Sequence, residues 1–542
     1  MNKIYYLSFF IILFLFSCKE KEIVKVLPSI NQEIIAKHMA ALASDEFQGR
    51  MPCTIGEEKT IAYLEQEMKR IGLLPATDKG FLQKVPLVDI SGNMTSDMMV
   101  KTKKENFVLK PGEDFVVHSE RSQKSISLDK SELVFCGYGI QSEKEGWNDY
   151  AGIDMKGKTA VILINDPGFG GEDERFFKGN TMTYNGRWDR KYDVADAVGA
   201  DGLIIIHETA SAGYPWFVVQ SSWTGSLQGL AGIDRSNDTG IKGWWTLDAA
   251  KKIFEASGLD LGEQIRAARK PGFRPVPLNA TVDASLENTY NTCISNNVAG
   301  YIKGAKKPEE YIIYTAHWDH IGIGQPIDGD SIYNGALDNA SGTSTLLAIA
   351  EALSKTKPDR SIVFLFVTAE EQGLLGSEYY VENPLFPLDA TVANLNMDGV
   401  NPAGKMKDFT ITGKGHSEMD ELAEKAAQAQ GRYVQNEEEP EKGFFFRSDQ
   451  FNFARKGVPV LYADGGYDHW EKGKDFAREF RDNYTAKRYH APADNYNPEE
   501  WNYEGMVQDG QIYLNIGYDL SNSSQWPEWY KESEFSRPKV KD

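Results

Sequence analysis

The run SIVFLFVT at residues 361–368 decides the fold class of this chain. It is apolar over most of its length and carries β-branched and aromatic residues, a composition that predicts a buried strand. Ala369, Glu370 and Glu371 follow directly. The sequence therefore predicts a strand that delivers two carboxylates to its carboxyl end.

Strands and helices alternate on both sides of this run. The predicted segments are, in chain order, a strand at 311–315, a helix at 342–353, the strand at 361–368, a helix beginning at 377–381, a strand at 392–397, a helix at 419–430 and a strand at 458–462. Such alternation predicts the α/β fold class, with a mostly parallel mixed sheet flanked by helices. Helical periodicity from residue 34 to 71, interrupted by SDEFQGRMPCTIGEE, predicts two further helices, the second ending at Gly72.

The middle of the chain has a different texture. Short strands are predicted at 133–136, 159–164 and 202–207, separated by long connections rich in glycine and aromatic residues, with one helix at 192–199. Few candidate catalytic groups occur there. Since 542 residues are also too many for a single core, we interpret this segment as an inserted β-rich domain.

The composition is that of a globular protein, with 41% hydrophobic and 25% charged residues. The net charge of −20 gives a surface that repels phosphate backbones. Nucleic acid is therefore not expected as a partner.

The amino terminus has the pattern of an export signal. Lys3 precedes an apolar run, residues 4–16, whose 13 residues are fewer than the roughly 20 that cross a bilayer as a helix. The run ends in Leu-Phe-Ser-Cys, which resembles a bacterial lipobox with acylation at Cys18. We predict an exported lipoprotein of the bacterial outer membrane or periplasm-facing envelope; the alternative is a plain signal peptide in which Cys18 is incidental.

Three further cysteines, Cys53, Cys136 and Cys293, are widely spaced and form no CxxC pair. An odd number at such spacings indicates neither a disulfide framework nor a thiolate metal site. We expect buried thiols.

Groups with metal-binding chemistry follow successive predicted strands. His317 and Asp319 follow the strand at 311–315, and the loop NGALDNASG before the next helix contains Asp338. Further candidates occur later in the chain: Glu370, Glu371, Asp398, Tyr489, His490 and Asp494. A lone residue of this kind is usually structural, but coincidence at several strand ends predicts convergence in one crevice. Two imidazoles and three carboxylates suit a pair of divalent ions such as zinc.

These motifs together resemble a known family. TAHWDHIG, GALDNASGTS, TAEEQGLLGSEYY, NMDGV, RSDQFNF and YHAPADN are similar, in this order, to the motifs of the secreted di-zinc aminopeptidases of clan MH, a family shared with glutamate carboxypeptidase-like enzymes. The likeness extends to ALASDEFQGRMPCTIGEEKTIAYL at 41–64, where Cys53 replaces a frequent glycine. YDVADAVGADGLIIIHE at 192–208 looks like part of a protease-associated domain.

The resemblance implies a division of the chain. The expected parts are a signal peptide at 1–17, a tether at 18–30, a first peptidase part at 31–88, an inserted protease-associated domain at 89–284, a second peptidase part at 285–528 and a tail at 529–542.

It also implies a role for each site residue. His317 and Asp398 would hold one metal, Glu371 and His490 the other, and Asp338 would bridge the two. Glu370 would be the general base for water attack on a peptide carbonyl. The Asp319 carboxylate would accept the free N–H of His317, and Tyr489 would hydrogen-bond the developing oxyanion, although a tyrosine there could equally be packing. His320 is interpreted as a hydrogen-bonded neighbour and His469 as a loop residue; Ser448 and Asp449 match a family motif without an evident role.

The resemblance leaves four functions to compare. An aminopeptidase acting on peptides is favoured, because only 52 residues follow His490, too few for the helical dimerisation domain usual in glutamate carboxypeptidase-like members. Glutaminyl cyclisation usually uses one working metal, and a metal-free binding protein would lack a ligand. The sequence leaves side-chain preference, native metal and oligomeric state open, and the aromatic residues at 214–217 suggest that the insert roofs the cleft.

Overall fold

The computed structural model describes residues 28–223 and 226–537. The predicted signal peptide, the proposed lipidation site Cys18 and most of the tether lie outside the described residues. Within the two described ranges, every helix is too short or too polar to cross a bilayer.

The strands and helices below are numbered in chain order. The strands are β1 (Leu74–Pro75), β2 (Leu82–Met94), β3 (Met98–Lys101), β4 (Asn106–Leu109), β5 (Phe115–His118), β6 (Ser125–Phe135), β7 (Gln141–Ser142), β8 (Trp147–Asn148), β9 (Lys158–Leu163), β10 (Gly202–His207), β11 (Ser226–Leu230), β12 (Ile241–Thr246), β13 (Val276–Ile302), β14 (Lys307–His317), β15 (Gly322–Ile327), β16 (Asp330–Tyr333), β17 (Arg360–Val367), β18 (Thr391–Asn396), β19 (Asp408–Ile411), β20 (Tyr433–Asn436) and β21 (Val460–Asp464). The helices are α1 (Gln32–Leu42), α2 (Ile55–Ile71), α3 (Trp188–Val198), α4 (Thr209–Ala212), α5 (Trp216–Ser222), α6 (Leu247–Ala256), α7 (Leu261–Ala268), α8 (Ser341–Ser354), α9 (Leu375–Glu382), α10 (Met419–Gln428), α11 (Gln450–Arg455), α12 (Gly473–Lys487) and α13 (Tyr503–Ser521).

The carboxy-terminal half builds a sheet with a parallel centre. β14 lies between β17 and β18, and β21 pairs with β18, all in parallel. β13 runs antiparallel to β17, and β19 antiparallel to β21. The prediction of a mostly parallel mixed sheet flanked by helices is confirmed.

Strand β17 is buried along its whole length because helices cover both faces of the sheet. Phe364 and Phe366 pack in the core formed with α1, α2, α8 and α13. Val363, Leu365 and Val367 pack on the opposite face in the core that includes residues of α9 and α11. Successive side chains of a strand alternate between faces, so an uninterrupted apolar run is what a strand between two helical layers requires.

The predicted insert shares a strand with the sheet of the carboxy-terminal half. β13 extends over 27 residues, pairing first with β6, then with β2 and finally with β17. Within the insert, β6, β9, β10 and β12 are parallel neighbours, and β5 adds antiparallel to β12. The domain boundary predicted at 284/285 falls inside β13.

A disulfide joins Cys53 to Cys293, with Cα atoms 6.2 Å apart. The expectation of buried thiols is therefore wrong for these two cysteines, and it holds for Cys136, which is free and buried. The sequence separation of 240 conceals the pairing, because β13 must first fold back alongside the amino-terminal segment. The bond ties the loop before α2 to β13.

Candidate metal centre

The parallel strands bring four of the predicted site residues to one edge of the sheet. His317 is the last residue of β14, Glu370 and Glu371 follow β17, and Asp398 follows β18. Because these strands are parallel neighbours, their carboxyl ends meet at the same edge.

Two loops complete the cluster. Asp338 lies in a tight turn, Ala336–Ala340, directly before α8, and His490 follows α12. The Asp494 carboxylate accepts the main-chain N–H groups of Leu337 (3.1 Å) and Asp338 (3.2 Å). The loop that carries His490 therefore holds the turn that carries Asp338.

The Asp338 carboxylate stands between two imidazoles. Its Oδ1 lies 3.3 Å from His317 Nε2, and its Oδ2 lies 3.3 Å from His490 Nε2. His317 Nε2 is also 3.1 Å from Asp398 Oδ1, and His490 Nε2 is 3.1 Å from Glu371 Oε2. The structure thus brings all five predicted ligands together in two sets that share one carboxylate.

The donor atoms fit divalent metal ions. One atom each from His317, Asp338 and Asp398 lies within 4.8 Å of the others, a spacing suited to a shared ion. Imidazole nitrogens and carboxylate oxygens are ligands that zinc accepts in tetrahedral or five-coordinate sites. Three carboxylates also bring negative charge that two dications would neutralise.

The electrostatics of the cluster favour cations. Among the protein groups alone, burial opposes a charged imidazole, but the carboxylates of Glu371 and Asp338 outweigh burial and raise the pKa of His490 to about 10. The pKa of His317 is likewise raised, against burial, by Glu370 and Asp398. Burial would raise the pKa of Glu371, but the charges of His490 and His320 lower it to about 2. The cluster therefore binds positive charge strongly, as protons or as metal ions.

Glu370 lies beside the five ligands. Its Oε2 is 4.0 Å from His317 Nε2, and its side chain is 10% exposed. Burial raises its pKa above the usual range; the His317 charge opposes this shift and the Asp398 carboxylate reinforces it. A carboxylate that is partly accessible and less acidic than usual is suited to accept a proton.

The structure corrects the predicted contact of Asp319. His317 Nδ1 lies 3.2 Å from the main-chain oxygen of Asp319 but 3.8 Å from its carboxylate. The carboxylate instead accepts the main-chain N–H groups of Glu370 (3.1 Å) and Glu371 (3.4 Å). The main-chain oxygen of Asp319, rather than its carboxylate, lies next to His317 Nδ1 because the chain turns immediately after β14. The Asp319 side chain instead orients the loop that follows β17. Burial raises the pKa of this carboxyl to about 8.

Tyr489 and His320 flank the second ligand set. The Tyr489 ring stacks on His490 with centroids 3.9 Å apart, and the residue is 51% exposed. This arrangement leaves both the oxyanion and the packing interpretations open. His320 Nδ1 lies 2.5 Å from Glu371 Oε1, the hydrogen-bonded neighbour that the sequence predicts.

Other predicted residues lie around the cluster. Ser448 Oγ accepts from the Asn396 amide at 2.8 Å, and burial raises the pKa of Asp449 to about 7. His469 Nδ1 accepts two main-chain N–H groups of its own loop, in accord with a loop role. Arg50, which the sequence does not single out, reaches the site from the amino-terminal segment, where its signal is confined to the turn QGRM at 48–51.

Residues 297–514 match the model of peptidase family M28. Aminopeptidase NAALADL1 of Mus musculus is 38% identical over 138 residues, which cover 24% of this chain and 17% of that protein. Glutamate carboxypeptidase 2 homolog of Caenorhabditis elegans is 28% identical over 206 residues, covering 36% of this chain and 24% of that protein. The chain thus spans about a quarter or less of the length of these two relatives.

A solved structure extends the likeness over nearly the whole chain. The aminopeptidase from Aneurinibacillus sp. strain AM-1 aligns with a TM-score of 0.51 at 19% identity, covering 94% of this chain and 98% of that one. At this identity the alignment shows a shared fold, insert included.

Proposed function

We propose that the chain is a two-metal exopeptidase, with zinc as the metal, that releases amino-terminal residues from peptides. The observation that carries the proposal is the central carboxylate of Asp338, whose two oxygens each face a different histidine at 3.3 Å. A single-metal site has no need of a carboxylate shared between two complete ligand sets. The M28 match supports peptide hydrolysis as the reaction.

The residues would divide the work as follows. His317 and Asp398 would hold one ion, His490 and Glu371 the other, and Asp338 both. Such a pair of ions lowers the pKa of a water and polarises the scissile carbonyl.

Glu370 would take the proton of the attacking water and return it to the leaving amine, a role that its raised pKa suits. Asp319 would keep the loop of Glu370 in place through the two main-chain N–H groups that it accepts. Tyr489 would donate a hydrogen bond from its hydroxyl to the oxyanion that develops beside His490.

A peptide panel with blocked ends tests the direction of cleavage. Peptides with a free amino terminus should lose their first residue whether or not the carboxyl end is amidated, and N-acetylated peptides should remain intact. Release of the last residue from N-acetylated peptides would establish the glutamate carboxypeptidase-like alternative. The match to the worm homologue supports this alternative. Purified protein that binds no zinc and hydrolyses neither set would reject both.

We further propose that the protein is exported and anchored by a lipid on Cys18. The support is the lipobox-like end of the apolar run and the Cys53–Cys293 disulfide, a bond found mainly in oxidising compartments. Radiolabelled palmitate should enter the wild-type protein and not Cys18→Ala, which should also leave the membrane fraction. Equal membrane retention of both proteins would contradict the anchor.

A further inference from the structure

Arg50 lies almost fully buried beside the metal cluster, although it comes from the amino-terminal segment. The residue is 1% exposed and ends the short turn Asp45–Arg50 between α1 and α2. The turn is tightly fitted: a Cβ on Gly49 would meet the main-chain oxygen of Tyr333 at 2.4 Å. The backbone of this segment therefore places the guanidinium with little freedom.

The guanidinium joins two ligand-bearing loops. Its Nε donates to the main-chain oxygen of Trp318 at 2.8 Å, the residue directly after His317. Nη1 and Nη2 donate to the oxygens of Asn334 (2.6 Å) and Gly335 (2.9 Å), which precede Asp338. A planar fork can hold several acceptors at fixed angles, which an ammonium cannot do.

A second set of contacts secures the same turn. The Asn334 side-chain amide donates to Asp45 Oδ1 and to Asn495 Oδ1, each at 2.7 Å. Asn495 follows Asp494, so the loop of His490 is drawn into the same network. The disulfide of Cys53, three residues beyond Arg50, fixes the outgoing chain to β13.

We propose that Arg50 is a positioning residue of the metal centre, setting the separation between the terminal ligand His317 and the shared ligand Asp338. The inference rests on the proposed two-metal function. Residues that orient metal ligands typically change metal affinity by about 10- to 100-fold when altered. Arg50 also brings a positive charge to a site crowded with carboxylates: burial lowers its pKa to about 10, which still leaves it charged at neutral pH.

Arg360 provides a matched control. It is 0% exposed and donates to Glu310 Oε2 at 2.5 Å and to the main-chain oxygens of Leu520 and Gln525, each at 2.8 Å. It opens β17, whereas the metal cluster lies beyond the far end of that strand. Replacing either arginine by lysine removes a buried fork of similar size, but only Arg50 touches the ligand loops.

The experiment compares zinc affinity in Arg50→Lys and Arg360→Lys by competition with a chelator of known affinity. We expect Arg50→Lys to bind zinc at least about 10-fold more weakly than wild type and to regain its rate at saturating zinc. Arg360→Lys should lose thermal stability with wild-type zinc affinity. Equal zinc affinity in the two variants would overturn the positioning role, whereas wild type that binds no zinc would overturn the proposed function itself.

A double variant keeps the inference testable if Arg50→Lys does not fold. Cys53→Ser/Cys293→Ser retains the guanidinium but frees the chain that follows it. We expect weaker zinc affinity and faster amide exchange at Trp318 and Gly335 than in wild type. Unchanged affinity and unchanged exchange at both positions would contradict the proposal.

Discussion

The surroundings of Lys191 in the insert and the metal cluster both bury charge, but they compensate it in different ways. In the insert, the Lys191 ammonium is fully buried and donates to the main-chain oxygens of Tyr138 (2.6 Å), Asn165 (2.8 Å) and Asn185 (3.2 Å). Asp166 nearby accepts two N–H groups and the Thr183 hydroxyl. These charges are satisfied by the backbone around them.

At the edge of the carboxy-terminal sheet, the charged groups instead face one another. Asp338 has a histidine at each oxygen, and Glu370 has only the 4.0 Å approach of His317 among its ion-pair contacts in the described chain. A buried charged group alone therefore does not mark a site. Buried groups that the backbone satisfies are structural, and those that converge on a common space can bind a ligand.

The largest expected effect follows from Glu370. Replacing Glu370 by Gln removes the proton acceptor while leaving the five ligands, so kcat should fall at least about 100-fold with two zinc ions still bound. The measurements are steady-state kinetics and metal content. Glu378→Gln, a partly buried glutamate of α9 outside the ligand sets, should retain the wild-type rate; activity above a tenth of wild type in Glu370→Gln would remove that residue from the role.

Metal removal should destabilise the protein. A ligand that binds only the folded state at 100 times its Kd adds about 2.7 kcal/mol to the free energy of unfolding. The melting temperature should therefore fall when zinc is chelated and recover when it is restored. Asp338→Asn, which loses the shared carboxylate charge, should show a much smaller change in melting temperature with zinc. A change as large as that of wild type would mean that the cluster does not bind the zinc, and its contrast with the insert would be lost.

Lys191→Met tests the other side of the comparison. Loss of the ammonium leaves three main-chain oxygens without their donor, which should cost about 1–3 kcal/mol of unfolding free energy. Zinc affinity and the rate of the folded enzyme should not change. Urea unfolding measures the free energy of unfolding, and Lys156→Met, at an exposed site in the same region, serves as the control. A changed zinc affinity would show that the buried charge of the insert serves the metal site.

A pH dependence of opposite sign is expected in the two regions. His490 has a pKa raised to about 10, so its stabilising contribution without metal is complete below about pH 6.5 and is lost as the pH rises to 10. His118 in the insert has a pKa lowered to about 4 by burial, so its contribution is lost as the pH falls from about 6.5 to 4. Unfolding curves of chelated protein should show the alkaline loss, which His490→Gln should reduce, because His317 still contributes to it, and which His118→Gln should retain.

Much of the peptidase part could be predicted because its signals are local. The apolar run at 361–368 becomes β17 at Arg360–Val367, and Gly72 ends α2 in the left-handed conformation with a φ of 87°. The convergence of His317, Glu371 and Asp398 follows from parallel strand order alone.

The remaining features depend on partners distant in sequence. The length of β13 results from pairing in turn with β6, β2 and β17, which lie far from it in the sequence or belong to another part of the chain. Helix α12 fully buries only Ala477, and its short apolar stripe is completed by the partly buried Phe476 and Phe480, so its pattern in the sequence is weak. The carbonyl contact of Asp319 depends on a turn whose backbone geometry the residue types do not specify.

The disulfide has a consequence for proteolysis. Cys53 and Cys293 have a sequence separation of 240, and the whole predicted insert, residues 89–284, lies between them. A protease that nicks any exposed loop of the insert therefore cuts the chain without releasing either fragment. Such a protein should migrate as one band on a denaturing gel and separate into two only after reduction, so that the segments on either side of the insert remain one molecule even when the insert is cleaved.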